Sequence, residues 1–222
     1  MLLKSTQNFL RELHRIGAFK VDTEKGFRLA LHDKNPTAPL SPFYINLRTP
    51  KNKGGSLQPS HVETIAHELI TAAVRNHIKY DAVAGIPRAG TPFAKAIARL
   101  SNGNVIPYVC LTKRSGRARA MRVDVCQLSS KARNAKRVLL VDDLITQSDA
   151  KLLAIRALVL AGYHVAGVAV YLDREQSGVR HLANAGVPVV RVVTISKMLA
   201  FYEREGILSS SDIEKIRAYL RG

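Results

Sequence analysis

Four apolar residues, Val138-Leu139-Leu140-Val141, run straight into two carboxylates, Asp142 and Asp143, and then into a short polar turn, Thr146-Gln147-Ser148. An unbroken apolar run of this kind marks a strand buried on both faces, which points to a parallel sheet covered by helices. Past the turn, Leu152, Leu153, Ile155 and Leu158 read as the apolar positions of a helix that starts near Ala150. In an open α/β sheet, the corner between a strand's carboxyl end and a helix N-terminus is where phosphorylated ligands bind. Unpaired helix N–H groups receive the phosphate, and adjacent acids can receive sugar hydroxyls. Acids that only cap a helix or face solvent produce the same local pattern, so the residues alone leave both readings open.

The rest of the chain repeats the alternation of strand and helix, which predicts an α/β fold with a mostly parallel central sheet flanked by helices. Ser60-His61-Val62-Glu63 has the form of a capping box ahead of an apolar stripe at Val62, Ile65, Ala66, Leu69, Ile70 and Ala73. Strands are expected over 81–86, 105–111, 165–172 and 187–195. Thr91-Pro92 is expected to cap a helix reaching Leu100, and Ser196 and Ser211 (the latter with Glu214) to open two C-terminal helices. The first ~60 residues carry prolines at 36, 39, 42, 50 and 59 and read as a small hood on a single domain spanning 1–222, with 61–222 as its core.

Composition narrows the function classes. A 46% hydrophobic content suits a globular core, and no apolar run approaches the ~20 residues of a membrane span. The N-terminal segment, with Phe9, Leu10, Leu13 and Ile16 closed by Gly17, reads as an amphipathic helix rather than a signal peptide. Cys110 and Cys126 form no metal spacing or disulfide framework, so a reducing cytoplasm is the simplest setting. The seven histidines are scattered, which argues against a protein-ligated metal. The formal net charge is +17, and nearly half of it comes from one segment: residues 113–137 hold nine Lys/Arg against one acid, Asp124. That field favours a polyanionic partner, either a pyrophosphorylated metabolite or nucleic acid, although a solvated basic loop gives the same pattern.

Three loops would share the carboxyl edge of such a sheet. Gly85-Ile86-Pro87-Arg88-Ala89-Gly90 combines two glycines, a following helix N-terminus and Arg88, which together allow close approach of an anion. The basic loop begins at Lys113. The third loop runs from Asp142 to Ala150. Together they suit a ligand with a pyrophosphate, a ribose and a terminal phosphate.

At this point the chain resembles the type I phosphoribosyltransferases and, within them, the orotate phosphoribosyltransferases. Asp142-Asp143-Leu144-Ile145-Thr146 is similar to the family's phosphoribosyl-pyrophosphate (PRPP) signature. Ser41-Pro42-Phe43-Tyr44-Ile45-Asn46-Leu47-Arg48 resembles the orotate-specific hood motif. Leu172-Asp173-Arg174-Glu175-Gln176-Ser177-Gly178 and Thr194-Ile195-Ser196-Lys197-Met198-Leu199 are close to further segments of those enzymes. The resemblance implies that Asp142 and Asp143 hold the ribose hydroxyls, that Leu144 and Ile145 belong to the same PRPP-binding stretch, and that Thr146, Gln147, Ser148, Asp149 and Ala150 form the 5′-phosphate turn. It assigns Arg88 and Ala89 to the pyrophosphate loop, and Tyr44, Ile45, Thr146 and Arg174 to orotate. It also implies Mg²⁺ held mainly through PRPP, and a homodimer in which one subunit's basic loop reaches its partner's site.

The family's basic loop matches Lys113-Arg114-Ser115-Gly116-Arg117-Ala118-Arg119 after a one-residue shift. Arg117 then takes the catalytic lysine's place and Arg119 the histidine's; without the shift only Lys113 is kept. Ser148 stands where glycine is usual, and Asp149 where a small residue is usual. A basic residue near the hood is replaced by Leu29-Ala30-Leu31-His32, with Lys34 as a possible substitute. The expected activity is transfer of phosphoribose from PRPP to orotate. The alternatives are a transferase for another base, and a PRPP-sensing or RNA-binding regulator. No aromatic residue interleaves with the basic run between Lys113 and Arg137, which disfavours RNA stacking.

Overall fold

The computed structural model describes residues 2–33, 35–52, 54–100, 106–113 and 120–221. In chain order these form α1 (Lys4–Arg15), β1 (Phe19–Val21), β2 (Phe43–Ile45), α2 (Pro59–Arg75), β3 (Ala82–Gly85) and α3 (Thr91–Leu100). Then come β4 (Tyr108–Val109), β5 (Leu111–Lys113), β6 (Met121–Val123), α4 (Ser130–Asn134), β7 (Arg137–Ile145) and α5 (Asp149–Leu160). The chain closes with β8 (His164–Asp173), α6 (Gly178–Asn184), β9 (Val189–Thr194), α7 (Ile195–Arg204) and α8 (Ser210–Arg221). Two compact units result, one from residues 58–194 and one from 1–57 with 195–222.

The larger unit is built on a five-stranded sheet in the order β4-β3-β7-β8-β9, with every pair parallel. The apolar run is the middle strand, as its composition requires: Val138, Leu139, Leu140 and Val141 are fully buried. Val138 and Leu140 share one core cluster with Ala154 and Leu158 of α5 and Leu182 of α6. Successive strand residues face opposite ways, so Asp142 lies on the α5 side with Leu140, and Asp143 on the opposite side with Val141.

Several boundaries differ from the sequence expectation. β7 continues through both acids to Ile145, so the carboxylates lie within its last turn of pairing rather than beyond it. The stretch expected as one strand over 105–111 contains two short strands, and β5 pairs with β6 in a separate antiparallel ladder. In α2 the cap is Gln58 with His61, followed by Pro59 at the first position, instead of the Ser60–Glu63 box. Proline has no N–H to lose, so it settles at the helix start and shifts the cap upstream. In α8 the cap pairs Ser209 with Asp212 rather than Ser211 with Glu214. The apolar side of α5 also shifts: Ala154, Ala157 and Leu158 are buried, whereas Leu152 is exposed.

In the smaller unit, α1 buries Phe9, Leu10 and Leu13, and Gly17 closes it with a positive φ of 67°. β1 and β2 pair antiparallel, setting Lys20 opposite Tyr44 and Phe19 opposite Ile45. The C-terminal helices belong to this unit. The Tyr202 hydroxyl donates to the Leu10 carbonyl at 2.7 Å, Phe19 stacks on Tyr202 at 4.9 Å, and Thr23 donates to Asp212 at 3.0 Å. His32, in the segment that departs from the family pattern, is fully buried between Leu29 and Pro39.

Gly90 shows how tightly the loop after β3 packs on the middle strand. A Cβ there would sit 2.0 Å from the Val141 carbonyl oxygen, and one at Gly85 2.5 Å from that of Gly90. These glycines therefore serve backbone-on-backbone packing first, and only then ligand approach. Gly90→Ala is expected to destabilise the fold by about 3 kcal/mol, because both crowded groups are main chain. The shift of the urea midpoint at unchanged slope measures it.

Candidate active site

The parallel registers place three loops side by side. Gly85 is opposite Val141, and Ile145 is opposite Asp173. Main-chain hydrogen bonds tie the loops to β7 and to one another. Ile86 N–H donates to the Val141 carbonyl at 2.9 Å, Arg174 N–H to that of Ile145 at 3.0 Å, and Gly178 N–H to that of Thr146 at 3.0 Å. A Cβ at Gly178 would lie 2.6 Å from the Thr146 oxygen, so the close contact there requires glycine. The structure thus brings together Arg88 and Ala89, the acids, the turn 146–150 and Arg174 on one sheet edge. The Pro87–Arg88 peptide is cis, and Arg88 is exposed.

The two acids have different surroundings. Asp143 is 5% exposed, and its Oδ1 accepts from Leu144 N–H at 2.7 Å. Asp142, 4% exposed, is paired through Oδ2 with Lys151 at 2.5 Å, and Lys151 also donates to the Leu144 carbonyl at 2.7 Å. Two acids where an apolar strand ends are expected at the strand end and not paired inside the core. For Asp142 that is corrected, because its place on the α5 face sets it against a lysine in the first turn of that helix. Asp142 Oδ1 is shielded from water and has no hydrogen-bond partner among the described residues, a situation that costs about 1–3 kcal/mol unless a ligand satisfies it.

Lys151 was not among the expected site residues, although a signal was present. Lys151, Ala154, Ile155 and Leu158 follow helical spacing, so a lysine stands in the buried stripe. A buried ammonium needs an anionic partner, and the neighbouring strand supplies one.

In the turn, Ser148 is fully buried and its hydroxyl has no partner among the described residues. Asp149 is exposed and opens α5, where a negative charge is favoured by the helix dipole. Gln147 and Ala150 are exposed, and Thr146 is half-buried. Arg174 is half-buried beside Asp173, which is itself held by Arg191 at 3.1 Å. An open cleft of about 410 Å³ runs along the same loop, lined by Asp173, Glu175, Gln176, Ser177, Val179 and Arg180. Burial, and then the charge of Asp124, push the Cys110 thiol up, which makes it a packing residue rather than a nucleophile. Lys113 ends β5; Arg114, Arg117 and Arg119, like Lys34, lie outside the described residues. Tyr44 and Ile45 are half-buried in the smaller unit.

A family model for the phosphoribosyl transferase domain matches residues 57–198. The orotate phosphoribosyltransferase of Pyrobaculum islandicum is 32% identical over 165 residues, which cover 74% of this chain and 77% of that protein. The chain belongs to the phosphoribosyltransferases, in the orotate phosphoribosyltransferase family. The enzyme of that name from Sulfurisphaera tokodaii is 26% identical across 82% of this chain and 85% of its own length. The structure of Leishmania donovani UMP synthase superposes with a TM-score of 0.72 at 25% identity; it covers 97% of this chain, which spans 42% of that protein.

The matched stretch takes in the glycine loop, the acids, the phosphate turn and Arg174, while the hood motif 41–48 lies outside it. Among the described residues no helix is long and apolar enough to cross a membrane.

The ion pair beneath this phosphoribosyltransferase's turn has a measurable consequence. Lys151→Met leaves a buried carboxylate without its cation and is expected to lower stability by about 3–5 kcal/mol. Asp142→Asn/Lys151→Met removes both charges and is expected to lose less. Urea unfolding followed by circular dichroism compares the two; equal losses would show that charge compensation is not what the lysine supplies.

Proposed function

We propose that this phosphoribosyltransferase transfers the phosphoribosyl group of PRPP to orotate, forming orotidine 5′-monophosphate and pyrophosphate in de novo pyrimidine synthesis. The observation that carries the reading is the shared edge of β3, β7 and β8, where an arginine loop, two acids with a phosphate turn, and Arg174 adjoin. The ring nitrogen of orotate loses its N–H proton to water and gives its electron pair to C1 of the ribose. The C1–O bond to pyrophosphate breaks, and its electrons leave with pyrophosphate.

In this reading Asp142 and Asp143 accept from the ribose hydroxyls, and the turn 146–150 holds the 5′-phosphate with the main-chain N–H groups at the start of α5. Arg88 and Ala89 meet the pyrophosphate. Arg174 pairs with the carboxylate of orotate, for which a guanidinium is well shaped; Thr146 adds a hydrogen bond. Tyr44 and Ile45 enter the proposal through the hood motif alone, as Arg114, Arg117 and Arg119 enter through the basic loop that Lys113 begins. In that loop Lys113 and Arg117 would counter the charge that grows on the leaving group.

Mg²⁺ fits such a site, since it is commonly bound by one or two carboxylates together with substrate phosphates. Among the described residues no group of three or more metal-binding side chains converges, and in this reading the ion would be held mainly through PRPP oxygens. When bound, the ion neutralises charge on the departing pyrophosphate. The proposal extends to a homodimer with basic loops exchanged between sites, and to a reducing cytoplasm, in keeping with two free cysteines.

Loss of orotate absorbance with PRPP and Mg²⁺ tests the activity directly. Arg174→Leu is expected to raise the KM for orotate about tenfold or more while leaving that for PRPP within about twofold. Uracil, which lacks the carboxylate, should be a poor substrate. Efficient use of uracil would replace orotate with another base and leave the fold unaffected.

A further inference from the structure

We propose that Lys151 is a positioning residue of the phosphoribose site: it holds Asp142 by one carboxylate oxygen and so presents the other, Oδ1, to a ribose hydroxyl. The inference rests on the transferase reading above, since it takes the ligand to be a phosphoribose.

Lys151 Nζ is committed at two points on one strand, 2.5 Å from Asp142 Oδ2 and 2.7 Å from the Leu144 carbonyl. A cation anchored to the main chain in this way fixes the rotation of the carboxylate it binds. The second oxygen is left as a buried acceptor with no partner among the described residues. A buried polar atom without a partner invites an explanation, and a ligand hydroxyl donor is one that this edge of the sheet can supply.

Asp143 needs no such help. Its Oδ1 is oriented by the N–H of Leu144, and it faces the other side of β7. Side-chain alternation would aim the two acids apart, and the ammonium offers a way to bring Asp142 into use at the common edge. Lys151 also lies in the first turn of α5, two residues after Asp149, so one side chain ties the phosphate turn to the strand that carries the acids. Its charge offsets a carboxylate beside a ligand that is itself strongly anionic, where an uncompensated Asp142 would add to the repulsion from Asp143 and Asp149.

The test measures PRPP affinity by calorimetry, and KM and kcat for PRPP and orotate, on the full chain and four variants. These are Lys151→Met, Lys151→Arg, Asp142→Asn and Asp142→Asn/Lys151→Met. Lys151→Met is expected to weaken PRPP about tenfold or more with the orotate KM within about twofold, and Lys151→Arg to recover part of the loss. Because Lys151 acts through Asp142, the double variant should match Asp142→Asn in PRPP affinity within about twofold. That last comparison carries the test alone if Lys151→Met does not fold: a double variant more than about fivefold weaker than Asp142→Asn overturns the proposal. So does a folded Lys151→Met whose PRPP affinity stays within about twofold of the parent, or one that loses PRPP and orotate equally. A parent chain that binds PRPP without consuming orotate overturns the transferase reading, and PRPP affinity then judges Lys151 by itself. A parent that binds no PRPP overturns both.

Discussion

The parallel pairing of β7 with β3 on one side and β8 on the other is the constraint on which the candidate site depends. Parallel neighbours end on the same edge, so the loops that follow them are brought together although they are far apart in sequence. The pairing is specific because both faces of β7 are buried, and a slip of one residue would turn Asp142 and Asp143 each to the wrong side. Main-chain bonds from Ile86, Arg174 and Gly178 then fasten each loop to its neighbour, and the positions of Gly90 and Gly178 leave no room for a side chain. A rigid edge of this kind suits a reaction in which orientation of two substrates supplies much of the rate.

On that edge, charge is distributed unevenly. One acid is compensated by a buried lysine and the other is held by a main-chain N–H. A buried ion pair is weak evidence for stability, since its desolvation offsets much of the attraction. Its value here is geometric, for it ties the start of α5 to the strand. The positive charge of the chain is a different matter: nearly half of the net +17 comes from residues 113–137, a field that favours anionic partners.

The membership of the chain in its family agrees with this picture at the level of the fold and of the matched stretch, residues 57–198. Two of the departures from the family pattern fall at the turn between β7 and α5. Ser148 is buried, which fits a position where only a small side chain is accommodated, and Asp149 stands exposed in the first turn of α5. Neither residue disturbs the strand–turn–helix geometry of that corner.

Taken alone, the sequence determined the fold class and the location of the candidate site. The run Val138–Val141 is too apolar for a strand with a wet face, and the acids, turn and helix that follow it are contiguous, so local pattern was enough. The closing of α1 at Gly17 was legible for the same reason. Long-range packing decided the rest. The cap of α2 moved to Gln58 because proline's missing N–H outweighs a serine–glutamate match, and the buried side of α5 was chosen by the sheet it packs on, exposing Leu152 and enclosing Lys151. The grouping of α7 and α8 with the N-terminal residues rests on contacts such as Tyr202 to Leu10, nearly two hundred residues apart. Which oxygen of Asp142 is occupied, and by which cation, became visible only when β7 and α5 were packed together, because strand alternation and helical phase set that pairing jointly and neither is complete in a linear pattern.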